Sequence, residues 1–195
     1  VQRSPAGFLW RFADTAASWS VSLASGFIAL ETRAYSSRRE YLDRLAVVIQ
    51  ALEEHIRPVT FIRLGVRYID RVECAEDLRD LGQLVRPDLL PLWAYSSGAW
   101  NTELLQTFAQ AEFRHQDAHL RLRSALLPPM HLVDNASLAP VDRTSWVLDL
   151  DMFEWHAAPV PFSAKALLQR AQVFAETIYR VFRWSVSDEF LKRMG

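Results

Sequence analysis

Polar and apolar positions alternate from Ser18 onward, with Trp19, Val21 and Leu23 on one side and Ser18, Ser20 and Ser22 on the other. That is the period of a half-buried strand. Ser25-Gly26 interrupts the pattern with a pair able to supply positive φ, and Phe27 to Tyr35 then predicts the returning strand of a β-hairpin. Ser37 followed by Glu40 has the spacing of a capping box. Leu42, Leu45, Ile49, Leu52 and Ile56 share one helical face beyond it. Pro58 disfavours helical geometry in its predecessor, so this helix should end at Arg57. Val59 to Val72 is the longest strand candidate: Ile62, Leu64, Val66 and Tyr68 line one face, and Phe61, Arg63, Gly65, Arg67, Ile69 and Arg71 the other.

The second half repeats these themes. Leu78, Leu81, Leu84 and Val85 suggest a short helix, after which Pro87, Pro91 and Ser96-Ser97-Gly98 break the chain repeatedly. Leu105, Thr107, Ala109, Ala111 and Phe113 alternate with their neighbours, as do Leu120 and Leu122 with Arg121 and Arg123. A second hairpin turning near Gln116-Asp117 accounts for both. Leu127 to Ser145 reads as a loop, and Trp146 to Phe153 as a strand with Trp146, Leu148, Leu150 and Met152 opposite Val147, Asp149, Asp151 and Phe153. Ser163 caps a last long helix, and a short one starts near Ser187. Hairpin-linked strands with only two long helices predict an α+β fold: a mostly antiparallel sheet of about six strands, with two long amphipathic helices packed on one face.

With 195 residues, half of them hydrophobic, the chain suits a single α+β domain over residues 1–195. A net charge of -1 argues against a protein that works by neutralising phosphates, so nucleic acid is an unlikely partner. Lys165 and Lys192 are the only lysines, so nearly every cation is arginine, which suits planar pairing. Cys74 is the only cysteine, which fits a reducing compartment, and the expected location is the cytoplasm. No apolar run approaches the ~18 residues of a membrane helix, and Val1 to Trp10 lacks the apolar region of a signal peptide.

Five segments together carry a resemblance. They are Trp19-Ser20-Val21-Ser22-Leu23; Leu30-Glu31-Thr32 with Tyr35; Arg63 to Arg71; Leu148-Asp149-Leu150-Asp151; and Phe182 to Glu189. The set resembles a sporadically distributed prokaryotic family of unknown function. Its members have W-x-V-x-L, L-E-T-x-x-Y and R-x-G-x-R-Y-x-N-R motifs and a closing F-x-x-x-x-T-D-E helix. Asp70 and Ser187 depart from that pattern, where the family prefers Asn and Thr. The resemblance implies no catalytic residue. It implies that one further N-terminal strand of the full-length protein is missing from this chain, and an association with mobile or defence-related systems.

The chemically unusual feature is the polar side of the sheet. Arg63, Arg67 and Arg71 recur every fourth residue on one strand and so point the same way. Glu31 with Arg33, Asp149 with Asp151, and His119 with Arg121 and Arg123 form similar sets on other strands. Two descriptions fit them: a wet face laced with cross-strand ion pairs, or a charged surface that binds an anion or a partner. Gly65, inside a strand, marks a bulge or a close approach, and the space above it is the sharpest ligand-site candidate. The candidate binding set is therefore Arg63, Gly65, Arg67, Arg71, Glu31, Asp149 and Asp151. His115, Asp117 and His119 lack a recognisable metal-ligand spacing and straddle the expected turn. No metal or other cofactor is expected. Trp93 and Trp100 flank a turn and suggest an interaction patch.

The first functional reading is a non-enzymatic binding or regulatory protein whose charged open face holds a partner protein or a small anion; a second copy of the chain is a further partner considered. The alternative is a metal-dependent hydrolase or nucleotide-processing enzyme, with Arg63 and Arg67 clamping an anionic substrate and Asp149 or Asp151 holding the metal.

Overall fold

A computed structural model describes residues 2–4, 7–92, 103–134 and 138–194. It is α+β with antiparallel sheets. Its strands are β1 (Gln2–Ser4), β2 (Gly7–Ala13), β3 (Trp19–Ala24), β4 (Phe27–Thr32), β5 (Thr60–Val72), β6 (Thr107–His115), β7 (Ala118–Leu127) and β8 (Ser145–Pro161). Its helices are α1 (Arg38–Ala51), α2 (Ala75–Arg79), α3 (Leu81–Leu84), α4 (Ala164–Ser185) and α5 (Asp188–Met194). In place of a single sheet of about six strands, the strands form two sheets of four, ordered β1-β2-β3-β4 and β5-β8-β7-β6. The expected six-strand sheet splits because the N-terminal hairpin pairs with β2 and, among the described residues, no later strand joins it. The chain divides into two compact units, Val1–Ile62 with Ala158–Gln172, and Arg63–Ala157 with Val173–Gly195.

In the first unit the predicted hairpin is β3–β4, in register from Trp19↔Thr32 to Ala24↔Phe27 around Ser25-Gly26. The Asp14 carboxylate fixes the preceding turn by accepting from the Ser18 hydroxyl (2.7 Å) and from the Ser18 and Trp19 amides (2.7 and 3.2 Å). Those bonds hold its pKa below the ordinary aspartate range. Ser37 caps α1, its hydroxyl accepting from the Glu40 amide at 3.1 Å. The Glu40 carboxylate takes Ser36 and Arg44 instead of completing the box. A π-helical turn, Leu52–Ile56, ends at left-handed Arg57 (φ 54), the residue before Pro58. On the expected apolar stripe Ile49 is buried, Leu42, Leu45 and Leu52 are half-buried, and Ile56 is exposed. The Trp19 ring lies between Tyr41 (6.2 Å, stacked) and the Arg44 guanidinium (4.4 Å).

In the second unit β6 and β7 form the predicted hairpin, with His115↔Ala118 closing on Gln116-Asp117 and Gln116 at φ 56. β7 and β8 pair from His119↔Phe153 to Leu127↔Ser145. One face of these strands is the core: Leu120, Leu122 and Leu126 on β7, and Trp146, Leu148, Leu150 and Met152 on β8, are all buried. Val66, Val72, Leu81, Leu84, Phe174 and Ile178 are buried as well. The one hydroxyl on this face, Ser124, donates to the Leu89 carbonyl and accepts from Trp146 Nε1 at 3.0 Å, so it is satisfied where it lies. Val85 bridges to Val186, and Arg193 on α5 holds Asp77 and Asp80 at 3.1 and 2.9 Å.

Candidate functional site

Period-2 geometry puts every second residue of a strand on one face, and the register then says which residues become neighbours. On the polar face of the second sheet, Arg123 lies opposite Asp149, Arg121 opposite Asp151 and His119 opposite Phe153. Glu112 and Gln110 on β6 lie opposite Arg121 and Arg123. Arg67 on the neighbouring β5 reaches Asp149, and Arg63 reaches Asp151. Arg63, Arg67, Asp149 and Asp151 are therefore brought together as their spacing implies, with His119, Arg121 and Arg123 beside them.

The face has a closed half and an open half. In the closed half Asp149 is 1% exposed. It accepts from Arg67 Nε and Nη2, both at 2.8 Å, and from Arg123 Nη1 at 3.1 Å. The fork of Arg67 matches the carboxylate in the bidentate manner. Arg67 also donates to Asp134 at 2.9 Å, and Arg123 to Gln110 at 2.9 Å. Burial works against the charge of Arg67, but Asp149 and Asp134 outweigh it and its pKa is raised. Arg71 donates to the Ala139 carbonyl at 2.8 Å. Asp134 and Ala139 belong to the segment expected to be a loop, as it is among the described residues. Its Val133 and Leu138 pack, with Ile69, on a small core of Ala125, Leu127 and Val147. Part of the charged face is therefore roofed, which the lack of periodicity from Leu127 to Ser145 did not reveal.

The open half is built around Phe153. The Arg63 and Arg121 guanidinium carbons lie 5.3 and 5.0 Å from its ring centre, and the His119 ring stacks on it at 5.5 Å. Contacts of this kind draw a guanidinium to an aromatic face. Arg121 donates twice to Glu112, at 3.2 and 3.1 Å, and His119 Nδ1 lies 3.0 Å from the other oxygen. The Arg121 bonds, followed by those of His119, hold the Glu112 carboxyl below its usual range. Arg63 is paired more loosely: it approaches Asp151 at 3.7 Å and remains 46% exposed. Burial pushes the Asp151 pKa up, with Arg63 and Arg67 opposing. Phe153 was legible as an aromatic residue in phase with Asp149 and Asp151, yet polarity alone did not single it out.

The close approach expected at Gly65 is made by Arg63. A Cβ there would sit 3.2 Å from both terminal nitrogens of Arg63, so the space above the glycine is filled by that guanidinium. Glycine lets Arg63 fold back along its own strand toward Asp151 and Phe153. Gly65→Ala should leave the melting temperature within a few degrees while displacing Arg63. The check is the Arg63 Nε–H resonance, which should shift in the variant; an unmoved resonance would refute this role for Gly65.

Glu31 belongs to the other sheet. It lies on β4 in the first unit, where it accepts from Arg11 at 3.1 Å and from Ser20 at 3.4 Å. His115 and His119 fall on either side of the β6–β7 turn. Among the described residues no group of three His, Cys, Asp or Glu side chains could share a metal ion. His156, further along β8, lies 3.5 Å from Glu154. The patch expected around Trp93 and Trp100 lies outside the described residues. No family model matches the chain, and no curated protein or solved structure matches it significantly.

Proposed function

We propose that this is a binding protein without catalytic machinery of its own, and that the open half of the charged face holds an acidic group, carried by a small anion or by a partner's acidic segment. The observation that carries this reading is the contrast between the arginines of one row. Arg67 is saturated by Asp149 and Asp134, and Arg71 is turned to the Ala139 carbonyl. Arg63 keeps a half-exposed guanidinium against Phe153 with one long carboxylate contact. An incoming carboxylate or phosphate could take the fork that Asp151 leaves loosely held. Asp149, with two guanidiniums on its oxygens, is poorly suited to hold a cation, which weighs against the metal-dependent hydrolase alternative. None of the described helices is long and apolar enough to cross a membrane. With its lone cysteine the chain is proposed to work in the cytoplasm, and the motif resemblance further suggests a prokaryotic accessory role in a mobile or defence-related system.

The test is an amide-resonance titration with inorganic phosphate in one arm and a glutamate-rich peptide in the other. Shifts clustered at residues 63–65, 119–121 and 151–155, and lost in Arg63→Ala, are expected in at least one arm. Arg63→Ala itself should cost on the order of 1 kcal/mol of stability, because the guanidinium is half-exposed and its contact with the mostly buried Asp151 is long. No shifts with either probe, or shifts that persist in Arg63→Ala, would sink the reading.

A further inference from the structure

β6 ends its sheet. It is nine residues long and pairs with β7 without a bulge from Thr107↔Leu126 to His115↔Ala118. Among the described residues no strand lies on its outer side. The sequence TFAQAEFRH contains no proline or lysine. Proteins usually blunt an unpaired edge with such residues, with bulges or with short strands. Exposed apolar side chains gather along it instead: Leu105 at 66%, Phe108 at 53% and Phe113 at 51%. Arg114, at the far end, has no ion-pair partner among the described residues.

From this edge we propose that two copies of the chain pair β6 to β6, antiparallel, about a twofold axis at Ala111. In that register all nine residues are used. Opposite residues of an antiparallel pair share a face and interact directly. Phe113 lies over the small Ala109 of the second copy, and Arg114 lies over its Phe108, a cation–π arrangement. The Gln110 amide meets Glu112 of the second copy, whose carboxylate has acceptor capacity beyond Arg121 and His119. Each contact occurs twice, as an isologous interface requires. Moving the axis to Glu112 would set two carboxylates against each other, which destabilises a pair. The charged faces of the two copies then become continuous across the join. This pairing is independent of what the Arg63 end binds.

Light scattering on the purified chain tests it. The mass should be twice the 22.4 kDa of one chain at micromolar concentration. Phe108→Arg sets like charges against each other twice and should weaken the dimer at least tenfold. Adding Arg114→Glu to that variant sets opposite charges against each other and should restore it; residues 108 and 114 lie too far apart on one strand to pair within a copy. A monomer mass for the unmodified chain up to 100 micromolar overturns the proposal, and so does a folded double variant that stays monomeric. Should Phe108→Arg not fold, Ala111→Cys in a Cys74→Ser background supplies the second measurement, because facing Cα atoms of an antiparallel pair fall within disulfide range. Mild oxidation should give a covalent dimer, and its absence overturns the register.

Discussion

Asp149→Asn should lower the stability of the protein by about 3–5 kcal/mol, the loss typical of breaking a buried ion pair from one side. For a chain of this size that is a fall in melting temperature on the order of 10 °C. The reason lies less in the attraction removed than in what stays behind. Arg67 and Arg123 converge on one carboxylate that is 1% exposed, with side chains 25% and 17% exposed themselves. Asparagine keeps the shape but presents an NH₂ where one guanidinium needs an acceptor, and it leaves two positive charges facing each other. Asp134 still neutralises one of them, which keeps the expected loss below a full collapse. Replacing Arg67, Asp149 and Arg123 together by Met, Leu and Met should lose much less than Asp149→Asn alone, since apolar replacement of a whole buried triad is often neutral. Thermal unfolding followed by circular dichroism decides it. A fall of less than about 2 °C for Asp149→Asn would show that water screens this cluster as it screens a surface pair.

Much of the second sheet was legible because its two faces differ so sharply. Leucines alternate with arginines on β7, and Trp146, Leu148, Leu150 and Met152 alternate with Asp149 and Asp151 on β8. Period 2 fixed strand and face together, while the Arg67–Asp149 and Arg63–Asp151 pairs follow only once β5 is placed beside β8. Three things did not follow. Phe8, Trp10 and Phe12 alternate within β2 as plainly as Trp19, Val21 and Leu23, but Pro5 lies just before them and interrupts a strand pattern there. β8 runs on to Pro161 because proline removes only the amide donor, and the ends of a long strand tolerate that loss. The segment over the arginine row has no period to read, since its place is set by Asp134, Ala139, Val133 and Leu138 meeting residues far along the chain. Glu31 was grouped with that row because polarity marks a face without saying which sheet owns it.

Asp70→Asn should stabilise the protein, and only where Asp70 would be ionised. Asp70 lies on β5 in phase with Val66, Tyr68 and Val72, and both valines are 2% exposed. It has no hydrogen bond or ion pair among the described residues, and burial pushes its pKa from 3.8 to about 6. The sign follows from proton counting. Between about pH 4 and pH 6 the folded state holds the proton more tightly than the unfolded chain, so the folded state binds more protons and stability falls as pH rises. Above pH 6 the carboxylate is ionised in both states and the penalty is constant, at most about 3 kcal/mol for a shift of some two units. Asparagine carries no charge to desolvate, though its amide still needs partners. The expected gain at pH 7.5 is on the order of 6 °C in melting temperature, shrinking toward zero by pH 4. A gain of equal size at both pH values would place its origin in packing and not in charge. A carboxyl resonance of Asp70 titrating near pH 4 would show that water reaches the group, and the stabilisation should then vanish at every pH.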